Sequence, residues 1–267
     1  MVHYVIVEPA NGKLELSGAP PVYKIGELVP AARPDLEGVA PVLYCAEHPD
    51  EQLPALRYVA TLDASRRAPP RVCAIVASGK ATGRVHQHLA DRLLLARPEG
   101  GDAAVFRYYD PRVFAHLPRI LKSGQLDVLL GPVATWAFLD PAGEWKTLEG
   151  AGVAGEGLAV TAEQYGRLSR IELVQRALET LRSNKSTMPP DAPALLDVQY
   201  AKGLTYGLDG ADLVAFALHG LLVSPYFDRH PRISRILQAP QQTYVDSVAN
   251  WDSSDWETIA RESIQYQ

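Results

Sequence analysis

Residues 71–77, RVCAIVA, form an apolar run unbroken after its first residue, with Pro69-Pro70 before it and Ser78-Gly79 after it. The run is far short of the roughly 20 residues that cross a bilayer. A strand with one wet face would alternate apolar and polar residues. This one does not, so it predicts a strand covered on both faces, which in turn requires a sheet with layers packed on either side.

The flanking segments can supply those layers. Tyr4 to Val7 and PVLYC (41–45) read as strands, with Asn11-Gly12 as a turn signal before Leu14 and Leu16. Residues 20–41, rich in proline and glycine, read as a loop with short extended pieces. Asp50 can cap a helix whose stripe is Leu53, Leu56, Val59 and Ala60, and Thr82 can cap another with Val85, Leu89 and Leu93. Ala103 to Tyr109 reads as a strand. Asp110-Pro111 then opens a short helix with Val113, Phe114 and Leu117 on its buried side, because Asp caps well and Pro suits the first helical position. A further short helix around Gln125 to Leu130 stops at Gly131-Pro132. TWAFL (135–139), a DPAG turn and EWKTL (144–148) read as a hairpin. This alternation predicts an α/β (α+β) lobe with a mixed β-sheet over residues 1–152.

The pattern changes at the glycine-rich GAGVAGEG (150–157), read as a lobe boundary, and an all-α helical lobe is expected over 158–267. Thr161 with Gln164 forms a capping box ahead of one helix carrying Tyr165, Leu168, Ile171, Val174, Leu178 and Leu181 on its stripe. Its opposite face holds Arg167, Arg170, Arg176, Glu179 and Arg182. Residues 193–206 form a second helix. Asp209 can cap a third, ADLVAFALHGLLV, apolar nearly all round and so expected at the centre of a bundle. Ser254 with Glu257 is a capping box for a last helix.

The net charge is −5, and neither half is basic, with 16 basic against 17 acidic residues in 1–150 and 10 against 14 beyond. A phosphate-gripping surface needs a basic stripe, so no nucleic acid is expected. The N-terminus lacks the basic region of a signal peptide, and no apolar run is long enough for a membrane span. A cytoplasmic protein with reduced, buried Cys45 and Cys73 is expected.

No motif for catalysis, cofactor or metal survives inspection. Gly150, Gly152 and Gly155 fit GxGxxG but do not open into a helix, and Ser78-Gly79-Lys80 lacks the first glycine of a phosphate loop, having Ala74 there. His86 and His88 face about 200° apart on a helix and cannot chelate one ion; they read as surface residues. His219 reads as a hydrogen-bonded core residue, and His230 as a cap or turn residue before Pro231.

One stretch is unusual. In AVFRYYDPRVFAHLPRILKSGQLDVLLGPVATWAFLD (104–140), Arg107 and Arg112 flank Asp110 at a strand-to-helix junction, where two guanidinium groups can clamp one carboxylate. The cluster either fixes that junction or offers Arg112 to a partner.

FRYYDPRVF followed by QLDVLLGPVATW resembles the signature of the type VI secretion effector chaperones, the domain-of-unknown-function 4123 family. The matching residues are His88-Leu89, then Phe106, Arg107, Tyr109, Asp110, Pro111 and Arg112, then Gly131, Pro132 and Trp136. The likeness is closest over 71–140. It departs at 17–41, where the family pattern has a helix and this chain has proline and glycine. The resemblance implies a cytoplasmic adaptor of a Gram-negative bacterium that binds a cognate toxic effector and loads it onto a VgrG/PAAR spike, with no cofactor. The alternatives are a structural or regulatory part of the secretion baseplate, or an enzyme whose site is not visible in sequence. Aromatic and arginine anchors suit such binding. Tyr226, Phe227, Arg229, His230, Trp251 and Trp256 are the candidate partner-binding residues, with Tyr108, Tyr109, Trp136 and Trp145 as further aromatic candidates.

Overall fold

The computed structural model describes residues 1–152, 157–238 and 242–266. The chain divides into two compact units, Met1–Tyr165 and Gly166–Gln267. Of the glycine-rich segment at 150–157, residues 153–156, including Gly155, lie outside the described residues.

In the first unit, β1 (Val2–Val7), β2 (Tyr23–Glu27), β3 (Val42–Ala46), β4 (Val72–Ser78), β7 (Thr135–Leu139) and β8 (Trp145–Glu149) form one sheet in the order β2-β3-β1-β4-β7-β8. The short β5 (Leu94–Leu95) and β6 (Ala104–Val105) pair separately. As the apolar run predicts, all seven residues of β4 are buried. The α/β character is as expected, but the sheet is not mixed, because every pairing in it is antiparallel. The physical reason is topological. β3 and β4 do run in the same direction, joined by α1 (Pro49–Ser65), as a strand-helix-strand pattern implies. β1 then inserts between them, so that Val5 faces Tyr44 on one side and Ile75 on the other.

α1 covers one face of the sheet, where Leu56, Val59 and Ala60 pack with Val5, Val7, Val72, Ile75, Ala137 and Leu139. On the other face lie α2 (Thr82–Asp91) and α3 (Pro111–Phe114), followed in the chain by α4 (Leu117–Ile120) and α5 (Ser123–Leu130). There Trp136 of β7 stacks on Phe114, with ring centroids 4.7 Å apart and planes 8° from parallel, while Phe138 meets Phe114 edge-on.

Three local expectations are corrected. His48, not Asp50, stands at the N-cap of α1, with Pro49 at the first helical position and Asp50 in the first turn. Thr82 is already helical, and its hydroxyl pairs with that of Tyr4 at 2.9 Å. Of the strand expected over 103–109 only Ala104–Val105 pairs; the backbone turns at Arg107, whose carbonyl accepts from Asp110 N at 3.0 Å.

The second unit begins within α6 (Ala162–Ser169) and contains α7 (Ile171–Ser183), α8 (Ala192–Thr205), α9 (Gly210–Leu222), α10 (Pro231–Leu237), α11 (Tyr244–Val248) and α12 (Ser253–Ser263). The capping box at Thr161 and Gln164 forms in both directions, at 3.0 and 3.2 Å. The single long helix expected after it is broken at Arg170. There the backbone N–H is shared between the carbonyls of Gly166 and Arg167, and both arginines reach buried Asp197 of α8 through Nε, Arg167 at 3.1 Å and Arg170 at 2.8 Å. These two arginines are therefore not part of a solvated outer face. α9 buries Leu213, Phe216, Ala217 and Gly220 and joins two apolar clusters, Leu213 and Ala217 in one and Phe216 in the other, so it is central as expected, although Leu222 is exposed. The last capping box is Asp252 with Asp255, two residues before the expected pair.

Candidate functional site

The signature residues converge at the end of β1. Asp110 accepts from the backbone N–H of Arg112 at 2.9 Å, capping α3 with Pro111 at its first position. The guanidinium of Arg112 embraces the same carboxylate through Nε at 3.0 Å and Nη2 at 2.7 Å. Arg107 lies 3.7 Å from Asp110 and donates to Glu8 at 3.1 Å. Tyr109 donates its hydroxyl to the same oxygen of Glu8 at 2.8 Å. Both carboxylates are almost wholly buried, whereas Arg107 and Arg112 remain 49% and 41% exposed. Two cations thus neutralise two buried anions, the condition under which such anions are tolerated.

Glu8 is the functional residue that sequence reasoning missed. The available signal was charge arithmetic: two arginines beside one aspartate leave a positive charge for another acid, and Glu8 ends the apolar strand Tyr4–Val7. Chemically, the cluster binds chain to chain. Each carboxylate is held by a guanidinium, burial pushes the Tyr109 phenol up, and burial pushes the neighbouring Cys73 thiol well above its ordinary value. A thiol held protonated is a poor nucleophile.

The second half of the signature is also architectural. Gly131 ends α5 at φ +54°, and a Cβ there would fall 2.1 Å from the ring of His88. His88 fills that space and hydrogen bonds the Leu129 carbonyl through Nε2 at 2.9 Å; burial lowers its pKa. Ser78, at the end of β4, donates to the Pro132 carbonyl at 2.6 Å. Trp136 touches Tyr108 as well as Phe114 and so joins the two halves of the signature. His86 bonds the Glu27 carbonyl at 2.9 Å. Neither histidine is the free surface residue expected. Cys73 is buried as expected, but Cys45 is only partly so.

Exposure revises the list of aromatic anchors. Tyr108, Tyr109, Trp136 and Phe227 are buried in packed rings, and His230 is buried too. His230 caps α10, accepting from Arg232 N at 3.2 Å on Nδ1, and its Nε2 meets Glu262 at 2.9 Å. Phe227 and His230 cannot meet a partner in this state, because packing and capping consume them. Tyr226, Trp251 and Trp256 are half-buried, and the first two carry cations: Lys202 and Arg229 flank Tyr226, and Arg232 sits 4.3 Å from the Trp251 ring, which neighbours Trp256 at 5.0 Å. Trp145 likewise lies under Arg57 at 4.5 Å. Among the described residues, no group of three or more His, Cys, Asp or Glu is placed to hold a metal, and no helix is long and apolar enough to cross a membrane.

The family described as Domain of unknown function (DUF4123) matches residues 28–127. The matched span holds His88 and Arg107 to Arg112; Glu8, Gly131, Pro132 and Trp136 lie beyond it. No curated protein and no solved structure matches the chain.

Proposed function

We propose that this chain is an adaptor chaperone of the type VI secretion effector class. It holds one toxic effector and presents it to a VgrG/PAAR spike, and it works by binding, with no cofactor. The observation that carries this reading is the long motif running from Arg107 to Trp136, whose resemblance to the effector chaperones falls mostly within the segment matched at 28–127. In support, Arg107 and Tyr109 are engaged by Glu8, and Arg112 by Asp110 within the motif, which suits a scaffold mark better than a reacting centre. The half-exposed Tyr226, Trp251 and Trp256, each with an arginine or another aromatic beside it, have the composition of interface anchors.

The test is affinity purification of the tagged chain from a host with an active type VI system, read by mass spectrometry. An adaptor retains a large toxin-like protein together with a spike protein. Retention of sheath or baseplate subunits instead would replace this reading with a baseplate role.

A further inference from the structure

The two edges of the main sheet differ. The β2 edge is blunted. Its pairing with β3 shifts register between Lys24 and Gly26, a bulge, and the Glu27 carbonyl is taken by His86. β8 is a regular five-residue edge. Its ladder with β7 pairs Asp140 N with Glu144 O and Gly150 N with Ala134 O, both at 2.8 Å. With the recorded register, that phase assigns the inward hydrogen bonds to Lys146 and Leu148. The N–H and C=O groups of Trp145, Thr147 and Glu149 therefore point away from the sheet. No other bond reaches them among the described residues, and Thr147 and Glu149 are exposed.

The side chains along this edge are just as uneven. Trp145, Thr147 and Glu149 share the α1 face with their partners Leu139, Ala137 and Thr135. Trp145 gives that face an apolar wall, closed by Arg57. Lys146 is engaged by Glu144 and lies 4.0 Å from Asp140. Among the described residues Glu149 has no ion pair, and Asp140, Glu144 and Glu149 outnumber the one lysine, Lys146.

We infer that β8 is a docking edge for an extended segment of a partner protein, which adds to the sheet as a seventh strand. That segment carries an apolar residue beside Trp145 and a lysine or arginine beside Glu149. A row of outward backbone donors and acceptors is complemented by another extended backbone, so the edge supplies a grip that different extended segments of this composition can share. A second copy of this chain is a poorer occupant, because antiparallel self-pairing about Thr147 sets Trp145 against Glu149 and Lys146 against Leu148, leaving the unpaired acid unmatched.

The inference rests on the adaptor reading, and its test separates the two. Thr147→Pro removes one outward N–H and blocks strand addition while sparing the ladder to β7; edge positions tolerate proline for this reason. Thr147→Ala keeps the backbone. The wild-type chain and both variants, all full length, are purified from the native host. Toxin and spike proteins are quantified, and amide exchange at Trp145, Thr147 and Glu149 is compared between the isolated chain and the wild-type complex. We expect Thr147→Pro to retain at least tenfold less toxin at an unchanged melting temperature, Thr147→Ala to retain it, and the three amides to be protected only in the complex. Equal retention by Thr147→Pro, or unprotected amides in an intact complex, overturns the docking edge and leaves the adaptor reading standing. If the wild type retains neither toxin nor spike, the adaptor reading falls and this inference with it. A dimer of the isolated chain that Thr147→Pro dissolves would overturn the stated occupant in favour of a second copy.

Discussion

Two signature residues can be tested singly, because each has one dominant physical task. Asp110→Ala removes an N-cap, worth about 1 kcal/mol, and takes the carboxylate from the Arg112 guanidinium, while Arg107 keeps Glu8. Arg112 is near half exposed, so water rescues part of its charge. A total loss of about 2–3 kcal/mol follows, below the cost of breaking a fully buried pair. Urea unfolding should show it, and Asp110→Asn, which keeps a capping oxygen, should lose less. Gly131→Ala faces two penalties, a positive φ and a Cβ 2.1 Å from His88. We expect a loss of about 3 kcal/mol, from roughly 1–3 for the backbone conformation plus displacement of the ring. His88→Ala in the same chain should relieve the steric part only, making the double mutant less damaged than the sum. Asp110 was legible in the sequence because an Asp-Pro pair at a helix start has local chemistry. Glu8 was not, since its partner is 99 residues away and no local pattern encodes that distance.

At the scale of elements, α9 is tied to α11 and α12 through one imidazole. His219 bonds the Tyr244 hydroxyl at 2.7 Å and lies 4.0 Å from the Trp256 ring. Burial lowers its pKa from an ordinary 6.5 to about 4. The folded state therefore prefers the neutral ring, whereas the unfolded chain takes up a proton near pH 6.5. Stability is full above pH 6.5 and declines as the pH falls from there through about 4. Melting temperature measured across that window should drop by several degrees, and His219→Gln should flatten the drop while lowering the plateau. A core role for His219 was readable from its apolar neighbours in sequence. Elements were readable in the same way wherever an apolar run or stripe marked them, as with β4 and α2. Caps were less so: Ser254–Glu257 and Asp252–Asp255 satisfy nearly the same rule two residues apart, and packing chose the second. The break at Arg170 was hidden for a related reason, because a continuous apolar stripe does not reveal that Asp197 on another helix will draw in two arginines.

At the scale of the whole molecule, the signature and the half-exposed aromatics lie in different units. Arg107 to Trp136 belong to Met1–Tyr165, while Tyr226, Trp251 and Trp256 belong to Gly166–Gln267. If the chain is the adaptor proposed above, a motif consumed in fixing the fold can be common to all such proteins, whereas cargo choice must differ from one to the next. The second unit is thus the better candidate for choosing the effector, with the turn at Tyr226 and the Arg232–Trp251–Trp256 group as its contacts. A chimera tests the division of labour. Because the boundary between units falls inside α6, the splice belongs ahead of Thr161, so that the capping box and the whole helix travel together. Grafted onto the first unit of a related adaptor, residues 161–267 should confer binding of this chain's effector and abolish binding of the relative's. Trp251→Ala and Tyr226→Ala should each weaken that binding by roughly tenfold or more if they are anchors, since truncating an interface anchor costs about 2 kcal/mol. Circular dichroism should show the helices intact, as neither ring is among the fully buried ones. Should effector choice instead follow the first unit, the sheet edge at β8 becomes the selecting surface, and the aromatics of the second unit are left as packing.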